Sequence, residues 1–110
     1  MKRDIGLFIG DILDNIGDIE SFSKGLTEEE FMHNKLKQNA IIRSLEIIGE
    51  AVKNVPDSFK EKHSEIPWRK IAEFRDILSH SYFGVSLERV WNVVEKELPE
   101  LKEAIKKIRI

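Results

Sequence analysis

Apolar residues recur along this chain at steps of three and four in four successive stretches and nowhere alternate one by one, so helices rather than strands must bury them. The first stripe runs from about Lys2 to Ser23 and carries Ile5, Phe8, Ile9, Ile12, Ile16, Ile19 and Phe22. After Lys24 and Gly25 the motif LTEEEF marks a second helix start: Thr27 can cap it, and Glu30, three residues on, can return a bond to the Thr27 amide. This helix is expected to continue through Phe31, Leu36, Ala40, Ile41, Leu45, Ile48, Val52 and Val55, ending before Pro56, which cannot continue the backbone bonding.

The stretch PDSFKEKHSEI has no period and reads as a loop. Pro67 suits the first turn of a third helix, where its missing N–H is not needed. Ile71, Phe74, Ile77 and Leu78 form the expected buried face, and the helix should fail between His80 and Gly84. Ser86 can cap a fourth helix carrying Leu87, Val90, Trp91, Val94, Leu98, Leu101, Ile105 and Ile108, which Pro99 should kink or divide. Four or five helices with short connections predict an all-α antiparallel bundle.

A chain of 110 residues has room for one core, so residues 1–110 are read as one domain. No apolar run approaches the roughly 18 residues that a membrane helix needs, and the start MKRDIGLF lacks the continuous apolar stretch of a secretory signal. No membrane association and a cytoplasmic location are the expectation. The absence of cysteine rules out disulfides, thiolate catalysis and cysteine-based zinc sites. A formal net charge of -2 offers no overall attraction to nucleic acid, so an RNA-binding surface would have to be local or assembled between subunits.

The residues with most chemical potential lie in Arg75-Asp76-Ile77-Leu78-Ser79-His80-Ser81-Tyr82-Phe83, where a helix is expected to end. On a continuous helix Arg75 and Tyr82, seven apart, share a face, while His80 points roughly 140° from Arg75. A break near His80 would turn all three toward one cleft. An imidazole can exchange a proton with a ribose 2′-hydroxyl or a leaving oxygen near neutral pH. A guanidinium offers a planar, permanently charged fork for phosphate oxygens, and tyrosine adds a hydroxyl and a stacking face. Such a trio suits RNA cleavage without metal. The alternative is structural: Arg75 pairs with Glu73, Asp76 or an acid of another helix, and His80 simply closes the helix near the negative end of its dipole.

The segment RDILSHSY carries Arg, a polar residue, three further positions, His, one residue and Tyr. With AIIRSLEIIGEAVKNVP and IPWRKIAEFRD it resembles the HEPN domains, and within them the HepT-like toxins encoded beside MntA-type minimal nucleotidyltransferases. The resemblance covers nearly the whole chain. It implies a HEPN helical bundle that acts as a homodimeric, metal-independent endoribonuclease toxin, with no cofactor. Arg75 and His80 are then the catalytic pair, and Arg75, Asp76 and Tyr82 contact RNA. It also implies an MntA-like nucleotidyltransferase antitoxin that transfers AMP to Tyr82. Phosphate attached there would occupy the charge meant for the RNA backbone and block access. The rival implication is a non-catalytic module that binds the nucleotidyltransferase and helps to position its substrate; a scaffold without a site is the third.

Other residues are read more plainly. Arg43, Glu46 and Glu50 share a helix face and are taken first as an ion-pair ladder, second as part of a cleft. Gly49 costs a helix interior about 1 kcal/mol relative to alanine, so another helix is expected to pass close to it. His33 and His63 lack a second ligand at a metal-binding step and are expected to be solvated. Trp68 and Trp91 fall on apolar stripes and are expected in the core or in a dimer contact. Between Arg69 and Arg89 the charges nearly balance, so a basic groove would need two subunits. The run KEAIKKIRI is read as a solvated helix end whose lysines suit the dipole.

Overall fold

The computed structural model describes residues 4–80 and 86–108. Helix α1 is Ile5–Ser23, started by Asp4, whose carboxylate accepts from the Gly6 amide at 3.0 Å. Its stripe is buried through Ile9, Ile12, Ile16 and Ile19, as the spacing requires. Gly25 then takes a φ of 72°, a left-handed value open to a residue without a Cβ, and the chain turns back.

The expected capping box forms: Glu30 N donates to Thr27 Oγ1 at 3.1 Å and Thr27 N donates to Glu30 Oε1 at 2.9 Å. Donation to the Glu30 carboxylate by the Thr27 amide first, and by the Thr27 side chain second, holds that carboxyl below its ordinary range. The single long helix expected from Thr27 to Val55 is instead two helices, α2 (Glu28–Met32) and α3 (Lys35–Asn54). Asn34 causes the division, since its side chain accepts from the Lys37 amide at 3.0 Å and so starts a new helix. The Gln38 amide closes the gap from the other side, donating to the carbonyls of Phe31 at 2.9 Å and Met32 at 3.1 Å. Two capped ends replace a continuous ladder, and Phe31 reaches the core against Trp91 with ring centroids 5.3 Å apart. The new phase leaves Leu36 78% exposed, because it lies five residues and so about 140° from Ile41, the first buried residue of α3.

The stretch expected to be a loop after Val55 contains helix α4 (Asp57–Lys62), which follows Pro56 as its cap. It has no buried residue, which is why no apolar period announced it. His63, expected to be solvated, is instead half-buried: it stacks on Phe59 at 4.6 Å, and its carbonyl accepts from Trp68 Nε1 at 3.0 Å. His33 is exposed as expected, and Trp68 and Trp91 are buried in the core.

Helix α5 is Trp68–His80, with Pro67 just ahead of it. Phe74 and Leu78 are buried, while Ile77, expected on the same face, lies at its edge and is exposed. Ser86 caps α6 (Leu87–Asn92) by accepting from the Arg89 amide at 3.2 Å. A π-helical turn, Val93–Glu97, joins α6 to α7 (Leu98–Lys106). The expected division at Pro99 takes this form: the Leu98 amide reaches five residues back to the Val93 carbonyl. The widened turn accommodates the proline ring and its missing donor without a loop.

Among the described residues there is no strand, and one apolar cluster draws buried residues from every helix except α4, whose half-buried Phe59 packs against it. Helix α3 packs along both α1 and α5 and is the element they share, while Lys102 of α7 ties back to Glu20 of α1 at 3.0 Å. The result is an all-α bundle. Among the described residues no helix is long and apolar enough to cross a membrane.

Candidate functional site

The motif residues of α5 meet the polar face of α3. Successive contacts pair Glu46 with Ser79, Gly49 and Glu50 with Arg75, and Lys53 with Asp76, so the two helices run antiparallel along this seam. Gly49 sets their separation. A Cβ built there would lie 2.2 Å from Arg75 Cβ and 2.6 Å from Arg75 Cγ, so only glycine lets the arginine stem lie against the α3 backbone. The close approach expected at Gly49 is therefore present, and Arg75 is what approaches.

The guanidinium is held by two carboxylates. Arg75 Nη2 lies 3.1 Å from Glu50 Oε2, and Nη1 lies 3.4 Å from Asp76 Oδ1. Its Nε is enclosed without a hydrogen-bond partner among the described residues. Asp76 Oδ1 also accepts from Lys53 Nζ, which makes this oxygen a bridge between the two cations. The Lys53 bond, followed by the Lys53 and Arg75 charges, outweighs partial desolvation and holds the Asp76 carboxyl below the ordinary carboxylate range. Two acids therefore face two bases, and the cluster as a whole is neutral.

Arg43, Glu46 and Glu50 do not form the expected ladder: among the described residues no ion pair joins Arg43 to either acid. Glu50 turns to Arg75, and Glu46 accepts from Ser79 Oγ at 3.0 Å. All three also border a cleft of about 240 Å³ beside Arg75, to which α1 adds Phe8 and Asp11. Sequence reasoning missed Lys53 and Ser79 altogether. The available signal was the α3 spacing 46, 49, 50, 53, one polar face with a glycine at its centre.

His80 is the last described residue of α5 and is exposed. The break expected near His80 does not fall between it and Arg75, because α5 runs unbroken through both. On that helix the two residues leave the axis about 140° apart, so the helix itself does not aim them into one cleft. Tyr82 lies outside the described residues. Among the described residues no three His, Asp or Glu side chains gather as a metal would require.

An all-α bundle whose motif arginine is seated against the polar face of a neighbouring helix defines the class. The particular family follows from comparison: the pattern described as HepT-like, "Ribonuclease HepT-like", matches residues 12–108, and the chain belongs to this family. A protein of Thermococcus cleftensis named "Probable ribonuclease HepT" is 46% identical over 109 residues, covering 99% of each chain. A Methanocaldococcus jannaschii protein named "Gamma-glutamylcyclotransferase and putative RNase" is 49% identical over 108 residues. That alignment takes in 98% of this chain but 49% of the relative, so the chain spans about half of that protein's length. A second protein of that organism, named a "Putative RNase", is 45% identical over 111 residues, 97% of this chain and 92% of the relative. No solved structure matches the chain.

Proposed function

We propose that this chain, read as one HEPN domain over residues 1–110, is a metal-independent endoribonuclease toxin that works as a homodimer. In this reading His80 is the general acid/base for the 2′-hydroxyl and the leaving oxygen, and Arg75 binds the scissile phosphate. Tyr82 contacts the RNA and is the residue to which an MntA-like nucleotidyltransferase antitoxin transfers AMP. Family membership supports the ribonuclease class. The observation that carries the chemistry is the seating of Arg75: among the described residues two of its four terminal N–H groups face Glu50 and Asp76, and the other two are the ones offered to a phosphate.

The divergence of Arg75 and His80 along α5 supports a dimer, because a second motif across a shared cleft would supply what one helix cannot aim inward. The neutrality of the Glu50, Asp76, Arg75 and Lys53 cluster favours the second reading, a non-catalytic module that binds the nucleotidyltransferase, because it offers no net positive charge to a phosphate.

Incubation of unmodified protein with total RNA in EDTA, beside His80→Ala, separates the two. A ribonuclease yields 2′,3′-cyclic phosphate ends, and the variant loses on the order of 100- to 10,000-fold in rate, the usual contribution of a general acid/base. Intact RNA with an unmodified Tyr82, checked by mass spectrometry, favours the binding module instead.

A further inference from the structure

The α3 face that meets the motif is a template written at helical spacing: Glu46, Gly49, Glu50 and Lys53 each receive a different part of α5. Within it, Glu50 alone comes from the neighbouring helix to hold the guanidinium itself. Asp76 is the arginine's own chain neighbour and is itself held by Lys53, and Gly49 touches only the arginine stem. With the stem confined at Cβ and Cγ and Nε enclosed, the remaining freedom of Arg75 is the tilt of its planar guanidinium about the Cδ–Nε bond. One acceptor at Nη2 removes it.

We infer that Glu50 is the positioning residue for Arg75, the group that presents the arginine fork to a phosphate in a fixed orientation. The inference rests on the ribonuclease reading for its catalytic consequence, though not for its geometry. Glu50 does two separable things. Its oxygen accepts the Arg75 N–H, which fixes the fork, and its charge opposes an incoming phosphate. Fixing the fork acts on the turnover step, because orientation already present in the ground state need not be established at the transition state. Opposing the phosphate acts on binding, because like charges repel.

The two contributions separate in Glu50→Ala and Glu50→Gln. Alanine removes both, whereas glutamine keeps a carbonyl oxygen able to accept from Nη2 and removes the charge alone. With a labelled mixed-sequence RNA as substrate, Glu50→Ala should lower kcat on the order of 10- to 100-fold, the cost of a misplaced catalytic group, while KM stays level or falls. Glu50→Gln should recover most of kcat and lower KM. A wild-type kcat in Glu50→Ala, or a Glu50→Gln variant as slow as alanine, overturns the inference.

The geometry is tested apart from activity by NMR of the Arg75 side-chain N–H signals in the same proteins. Glu50→Ala should move them toward those of a mobile, solvated arginine, and Glu50→Gln should keep them near wild type. Unchanged signals in Glu50→Ala overturn the inference whether or not RNA is cut. If the signals shift as expected and the wild type leaves RNA intact, the positioning stands and the ribonuclease reading is what fails.

Discussion

Helix α3 carries two faces that hold the molecule together by different physics. One face buries Ile41, Leu45, Ile48 and Val52 in the apolar cluster that α1 also enters. The other presents Glu46, Gly49, Glu50 and Lys53 to α5. Burial of apolar surface scales with area and has little directional demand, so the first face supplies stability and tolerates apolar exchanges that keep its volume. The second supplies little stability, since its ion pairs are open to water on one side and such pairs contribute weakly. What it supplies is register. Hydrogen bonds require particular atoms at particular distances, so this seam determines where Arg75 sits along and around α5. Stability and position are thus provided by two different faces of one helix.

Neighbouring residues on α3 test the division most sharply. Ile48→Ala should cost about 2–5 kcal/mol, the usual range for a buried isoleucine, read as a lower denaturant midpoint. The cleavage rate per folded molecule should stay level. Gly49→Ala adds one methyl group where Arg75 leaves no space. Overpacking of about 1–3 kcal/mol is partly offset by the gain of about 1 kcal/mol in helix propensity, so the loss of stability should be the smaller of the two. Its effect on cleavage should be the larger, on the order of 100-fold, because Arg75 is displaced. If Gly49→Ala unfolds the protein more readily than Ile48→Ala and cuts RNA normally, the two faces do not divide the work in this way.

Lys53→Met sharpens the comparison through pH. The folded Asp76 carboxyl is held down chiefly by Lys53, so its ionised form adds stability above the unfolded carboxylate range, and this contribution is lost as pH falls through the depressed folded value. Lys53→Met should therefore be less stable than wild type at neutral pH, with the difference shrinking in acid. Thermal melts across that range measure it, and a difference that grows in acid would contradict the assignment. The smallest effect is expected at Arg69→Ala, in the first turn of α5. There an ion pair to Glu73 at 3.1 Å has side chains 93% and 63% exposed, so its removal should cost only about 0.3–0.5 kcal/mol, as for surface pairs one helical turn apart.

Much of this architecture was legible in the residues. The α1 stripe, the Thr27 capping box, the Ser86 cap and the buried tryptophans follow from spacing and local hydrogen bonding, both of which operate within a few residues of chain. The breaks were harder to read. Asn34 is hidden by an apolar period that continues roughly across it, and α4 by the fact that a single half-buried side chain, Phe59, makes no period. Arg75, Asp76 and His80 could be named from the motif, yet their relation could not: α5 holds Arg75 and His80 on one helix about 140° apart, and the segment expected to turn the motif inward lies outside the described residues.

The sequence by itself determined that this chain is helical, where most helices start, and which residues form the motif, because periodicity and capping are local properties. Only the tertiary structure decided which side chains meet that motif. Glu50 and Lys53 lie 25 and 23 positions from Arg75 and Asp76, and a charged residue on a helix face looks alike whether it faces water or a partner. Gly49 shows the reason most directly, since the absence of a side chain acquires meaning only when a second helix passes through the space it leaves.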